Sequence, residues 1–268
     1  MPTDPNADLI LFRPLDGLPL WAVAILIIVL LVSATEFGYR LSKYTQRRGA
    51  GKTESIVGSL NGATLALLAF LLAFVVGASV TSLSSRRQAV VNEANAIGTT
   101  GLRAGLLPEA YVSQSRQLLA EYTDLRLVEP DERQQILEII ARSEAIHGEL
   151  WALAEAAAAE SPTPITAGYI TSLNQMIDLH AERVNAELVA RLPTGVFVLL
   201  LLIAFLALII LGLHAGYAEK RTPFALAAFV LALTVVFMLI IDMSRGQQGM
   251  LQVSQQAFVD LLRTVGGG

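Results

Sequence analysis

Two small sets of polar side chains carry most of the chemistry this chain offers. Asn92, Glu93, Asn95 and Arg103 stand in one stretch, and Asn174, Asp178 and Arg183 in another. Asn174 and Asp178 are four residues apart, so a helix places them on one face. If the two stretches pack side by side as helices, these groups form a hydrogen-bonded network close to a membrane. The first reading of such a network is a lock between helices or subunits, because buried polar groups must be paired. The second is an ion-binding role. Asp242 and Arg245, one turn apart, form a candidate membrane-end ion pair, at a depth where charges are tolerated.

Other chemistries find little support. The histidines are His147, His180 and His214, each in a different predicted helix and without a partner at metal-ligand spacing. They read as surface, core or interfacial residues, and no metal or cofactor is expected. With Cys 0, thiol catalysis, thiolate metal sites and disulfides are excluded. No serine stands in a strand-turn-helix elbow. Gly51-Lys52-Thr53 resembles the end of a phosphate-binding loop, but Gln46 stands where that motif needs a glycine, and a strand is missing before it. The expectation is that the protein is not an enzyme. A net charge of -4 without a Lys/Arg block also argues against a nucleic-acid partner.

The elements that must position these residues are dominated by uncharged runs: Gly17 to Thr35, Ser55 to Ser85, Leu192 to Ala218 and Thr222 to Ile241. A helix needs roughly 20 apolar residues to cross a bilayer. The expected fold is therefore all-α: an integral membrane protein with four transmembrane helices and an extramembrane helical domain between helices two and three. The expected divisions are an N-terminal segment over 1–16, the first two membrane helices over 17–85, the helical domain over 86–191, the last two membrane helices over 192–242, and a C-terminal segment over 243–268. The acidic residues before the first run are the opposite of a basic signal-peptide start, so that run is read as a retained helix. In the central region Leu118, Leu119, Tyr122 and Leu125 recur at helical spacing, as do Ile146, Leu150 and Leu153. Pro162 and Pro164 break the chain before a further helix beginning at Thr166. The helix after the second run is expected to continue to Gly98, and Pro193 either starts the third membrane helix or kinks a continuous one.

The second run is longer than a bilayer requires. Small residues recur along it at Gly62, Ala66, Ala69, Ala73 and Gly77, the type enriched where membrane helices pack. Phe70 and Phe74 lie one turn apart on the same side. These features suggest a helix that meets copies of itself, with the two phenylalanines as a hydrophobic constriction. The alternative is a non-conducting scaffold or partner-binding protein in which they are ordinary packing residues. A transporter is a weaker reading, because the spans lack paired charges and an evident inverted repeat.

Four crossings place both termini and the helical domain on one face. The short connections on the other face hold Arg40, Lys43, Arg47, Arg48, Lys52, Lys220 and Arg221. The positive-inside rule then puts the helical domain outside the cell. Arg86, Arg87, Arg183, Arg191 and Arg245 flank the opposite face and dilute that preference.

Four short motifs follow one another along the chain: Leu67-Leu68-Ala69-Phe70, Glu93-Ala94-Asn95-Ala96-Ile97-Gly98-Thr99, Leu173-Asn174-Gln175-Met176-Ile177-Asp178, and Ile240-Ile241-Asp242-Met243-Ser244-Arg245 with Gly249. In this order they resemble the bestrophin-like family of bacterial membrane proteins. That family is remotely similar to bestrophins, pentameric anion channels whose second helix lines the pore. The resemblance implies a homo-oligomer, a pentamer by analogy, in a bacterial inner membrane. It also implies inorganic anions as partners alongside the lipid bilayer. The acidic calcium clasp of bestrophins has no counterpart here. Bestrophins keep their helical domain in the cytosol, which conflicts with the charge distribution.

Overall fold

The computed structural model describes residues 18–47, 54–128, 133–189, 193–219, 222–245 and 253–265. The Gly51-Lys52-Thr53 turn, Arg48, Arg191, Lys220, Arg221 and Gly249 lie outside the described residues. The described chain is helical, with no strand. The helices are α1 (Leu20–Arg47), α2 (Glu54–Ala104), α3 (Glu109–Asp124), α4 (Arg133–Glu160), α5 (Pro164–Val184), a π-helical turn (Asn185–Val189), α6 (Thr194–Tyr217), α7 (Pro223–Ser244) and α8 (Gln256–Val265). Among them α1, α2, α6 and α7 are long and apolar enough to cross a membrane. This is an all-α membrane protein with four candidate spans. The chain divides into two compact units, one from residues 1–83 and 190–252, the other from 84–189 and 253–268.

In the first unit, α1 turns Val23, Ile27, Leu31, Ala34 and Gly38 inward, a spacing of three and four that follows one helical face. Opposite them lie Leu200, Ala204, Leu208, Gly212 and Gly216 of α6. The two helices run in the same direction, with Thr35 beside Gly212 and Ser42 beside Gly216. Their backbones approach so closely that a Cβ on Gly38 would stand 2.0 Å from the Ile209 carbonyl oxygen, and one on Gly212 would stand 2.1 Å from that of Thr35. Only glycine fits there. Helix α7 adds Leu233, Phe237 and Ile240, and Phe197 meets Phe237 edge to face at 5.9 Å. Ile25, Val29, Leu199, Leu206 and Val235 point outward, where hydrocarbon rather than water would cover them.

The second unit is built from the later part of α2 with α3, α4, α5, the π turn and α8. Ile97, Leu118, Leu119, Ile146, Leu150, Leu173, Met176 and Phe258 are all buried. Helix α5 starts two residues before the expected Thr166. Pro164 takes the first helical position, where its missing N–H costs nothing, and Thr163 and Thr166 form a reciprocal capping box. Thr166 is thus part of the cap. Helix α2 does not end at Gly98 but runs to Ala104. Gly98 faces Leu261 of α8, whose Cδ1 would lie 3.0 Å from an added Cβ, so the glycine makes room for a neighbour rather than stopping a helix. Pro193 stands at the N-cap of α6 and begins a new helix.

Candidate functional site

A buried polar cluster occupies the interior of the second unit, with Glu93 of α2 fully buried at its centre. Glu93 lies beyond the uncharged run of α2, outside the membrane-spanning segment. The Tyr122 hydroxyl of α3 donates to its Oε1 at 2.5 Å. Arg183 Nε of α5 donates to Oε2. His180 Nδ1, also on α5, lies 3.4 Å from Oε1, and Nε of Arg126, in the turn just past α3, lies 3.9 Å from it. Because a carboxylate only accepts, Nδ1 is the donor in the His180 bond.

Further partners surround this carboxylate. Arg126 stacks over the Tyr122 ring at 4.4 Å and donates to Ser143 of α4. His147 of α4 sits 5.0 Å from the Tyr122 ring and 4.9 Å, edge-on, from His180. Arg183 also reaches Glu187 of the π turn at 2.9 Å, and the fully buried Arg86 donates from Nε to the Ala186 carbonyl at 3.2 Å. A π turn breaks the regular i to i−4 ladder, and here an arginine from α2 takes up one of its carbonyls.

Burial pushes the Glu93 carboxyl up, but the bond from His180 and the charges of Arg183 and Arg126 overcome it, with help from Tyr122, and hold the pKa at about 2. Burial and the Glu93 charge push the Tyr122 hydroxyl far up, so it remains a donor. For Arg183, burial opposes the charge, yet Glu93 and Glu187 raise its pKa above the usual value. Burial depresses Arg126. Burial, His180 and Arg126 together lower His147 to about 4. Glu93 is therefore ionised and engaged by donors from two other helices. The evident effect of the arrangement is to tie α2, α3 and α5 together, with α4 packed against them. Among the described residues no set of three His, Cys, Asp or Glu side chains is placed to hold a metal ion.

Of the network expected from sequence, the structure joins Glu93 and Arg183. It does not bring in the others. Asn92 accepts from Gln88 within its own helix, and Asn95 is exposed. Arg103 donates to the Gly168 carbonyl at 2.6 Å, a separate α2–α5 contact. Asn174 and Asp178 bond each other at 3.3 Å on the exposed side of α5. The reason is angular: at about 100° per residue, Asn174 lies half a turn around the helix from Arg183. Sequence reasoning missed Tyr122, Arg126, His147, His180 and Arg86 as members. Their signal was available, because Tyr122, His147 and His180 each occupy a position in the apolar register of their own helix.

Asp242 and Arg245 are both buried at the end of α7, and Arg245 donates to the Leu18 carbonyl at 2.7 Å, fastening the start of α1. On α2, Leu68, Leu72, Val75 and Ser79 turn into the chain's own core. Phe70 and Phe74 are 68% and 69% exposed. Gly62, Ala66, Ala69, Ala73 and Gly77 are exposed on the same side of the division, and among the described residues no heavy atom would lie within 4 Å of a Cβ on Gly62 or Gly77.

Comparison with solved structures gives a consistent fold. A bacterial bestrophin homologue from Klebsiella pneumoniae superposes with a TM-score of 0.61 at 17% identity, over 90% of this chain and 98% of that one. A mutant form of the same homologue gives 0.63 at 18% identity, over 90% and 98%. A crystal structure described as a membrane protein gives 0.64 at 15% identity, over 91% and 98%. No curated protein matches the sequence. The Bestrophin-like domain model matches residues 23–258, nearly the whole chain, and the protein therefore belongs to the bestrophin-like family.

Proposed function

We propose that this chain is a homo-oligomeric, channel-like membrane protein whose pore is lined by the membrane part of α2. The observation that carries this reading is the division of that helix. Leu68, Leu72 and Val75 serve the chain's own core, whereas Phe70, Phe74 and the small residues Gly62, Ala66, Ala69, Ala73 and Gly77 are left uncovered, together with the aliphatic Leu60, Leu67 and Val80. Small residues give no advantage against lipid, but they let helix backbones approach closely. Copies set around an axis would use them as the contact surface and place Phe70 and Phe74 in a dewetting constriction. A pentamer is the number of subunits that the family resemblance implies, and inorganic anions are the class of ion.

Purified protein in planar bilayers with chloride as the main anion tests the proposal. Wild type is expected to conduct weakly, and Phe70→Ala with Phe74→Ala to conduct several-fold more as the constriction widens. Silence from both, with only monomers by native mass spectrometry, would leave the scaffold reading. The membrane is proposed to be the bacterial inner membrane, with the helical unit outside as the basic short connections favour. Because the chain has Cys 0, an impermeant maleimide against Asn95→Cys in whole cells reads the orientation directly. Labelling supports the external location, and labelling only after lysis supports the cytosolic one.

A further inference from the structure

His147 has a neighbourhood that tolerates a neutral ring and opposes a charged one. It is 7% exposed, and its Nε2 is buried with no hydrogen-bond partner among the described residues; the same is true of His180 Nε2. The groups facing it come from each packed element. Helix α2 offers Glu93, helix α3 offers Tyr122, the turn after α3 offers Arg126, and helix α5 offers His180 and, beyond it, Arg183. On α4 itself Ser143 accepts from Arg126, while Arg142 pairs outward with Glu121 and Glu149. One carboxylate, Glu93, already serves two guanidinium groups here. A third cation would find no anion of its own.

The same carboxylate holds Arg183, and Arg183 holds Glu187 in the π turn. Arg86 holds the next carbonyl at Ala186. Whatever admits water beside Glu93 therefore weakens the bonds that fix the π turn, since the Glu93–Arg183 pair depends on exclusion of solvent. We propose that His147 is an acid-sensitive latch: a proton taken from solvent onto its imidazole forces α4 away from Glu93 and frees the π turn Asn185–Val189 that Arg183 and Arg86 hold in place. The imidazole becomes imidazolium, and no other bond is made or broken covalently.

Hydrogen exchange on the full chain in detergent, at pH 7.5 and pH 5.0 and corrected for intrinsic rates, tests it. The ordinary imidazole value is near 6.5 and His147 in place is held at about 4, so opening of peptides over 139–150 and 185–189 is expected to increase about thirtyfold over that interval. Glu93 contributes little there, because its titration lies lower on the pH scale. His147→Phe keeps a neutral ring between Tyr122 and His180, and is expected to match wild type at pH 7.5 and lose the acid step. His147→Gln is the second variant, with the same expectation. Equal wild-type protection at the two pH values overturns the proposal. So does an undiminished acid step in either variant, or an acid step in 139–150 that leaves 185–189 protected.

Discussion

Gly38 and Gly212 let the backbones of α1 and α6 touch in the first unit, whereas in the second unit the helices are also bridged by the polar side chains Tyr122, Arg126, His180 and Arg183 around one carboxylate. The contrast follows from the two solvents. In hydrocarbon, burying an apolar side chain between helices gains little over leaving it in lipid, so close van der Waals approach is the available source of stability. In water, apolar burial supplies the drive and a paired polar cluster can be carried inside, provided that every charge has a partner. The first kind of contact is sensitive to volume, the second to charge.

That distinction can be broken by substitution. Glu93→Leu leaves Arg183 and Arg126 facing each other in a dry interior and is expected to destabilise the second unit by about 3–5 kcal/mol. A loss of thermal stability that Arg183→Leu in the same chain partly restores is the signature of an uncompensated charge; equal damage from the double variant would point to volume instead. Gly212→Ala adds a single methyl at the α1–α6 contact and is expected to cost about 1–3 kcal/mol, read as a lower melting temperature in detergent. The same change at Gly62, where nothing among the described residues lies within 4 Å of the added methyl, is expected to leave the monomer's packing unaltered and to act on the association proposed for α2.

Acid gives the next effect in size. The folded values of Glu93 and His147 are both depressed, so each group stabilises the fold above its ordinary pKa and loses that contribution as pH falls toward its folded value. The His147 part is lost first, between about 6.5 and about 4, and the Glu93 part below about 4.5 toward about 2. A thermal melt that is flat from pH 7 to pH 5 would contradict this order. The smallest expected effect is that of Asn174→Ala, within about 0.5 kcal/mol, because its bond to Asp178 is made on the exposed side of α5.

Sequence carried the membrane architecture well, because a charge-free run as long as Ser55 to Ser85 has few other physical explanations. It carried the polar cluster only through Glu93 and Arg183. Asn174 and Asp178 looked like members because they are polar and near in the chain, yet the buried face of α5 runs through Thr166, Tyr169, Leu173, Met176, His180 and Arg183, spaced by three and four, with Ser172 beside it. Reading that register strictly would have selected His180 and rejected Asn174. Tyr122 was legible as an apolar-face residue, but its hydroxyl needs a partner from a distant helix, which no local pattern shows. The π turn was not legible, since Asn185–Val189 differs from a helix by a single shift in hydrogen-bond register.

In the spans, the hydroxyls of Thr35, Thr64, Ser79, Thr81 and Thr234 each turn back to a carbonyl one turn earlier in the same helix. At these five positions a neighbouring helix can be exchanged without stranding the hydroxyl donor, whereas at the C-terminal end of α1 the bonds of Thr45 to Tyr217 and of Gln46 to the Gly216 carbonyl tie that helix to α6. Of those hydroxyl-bearing residues Thr81 is exposed on α2 with its hydrogen already committed to the Gly77 carbonyl, so a neighbour meeting that side of the helix would be selected by shape and not by a bond from this group.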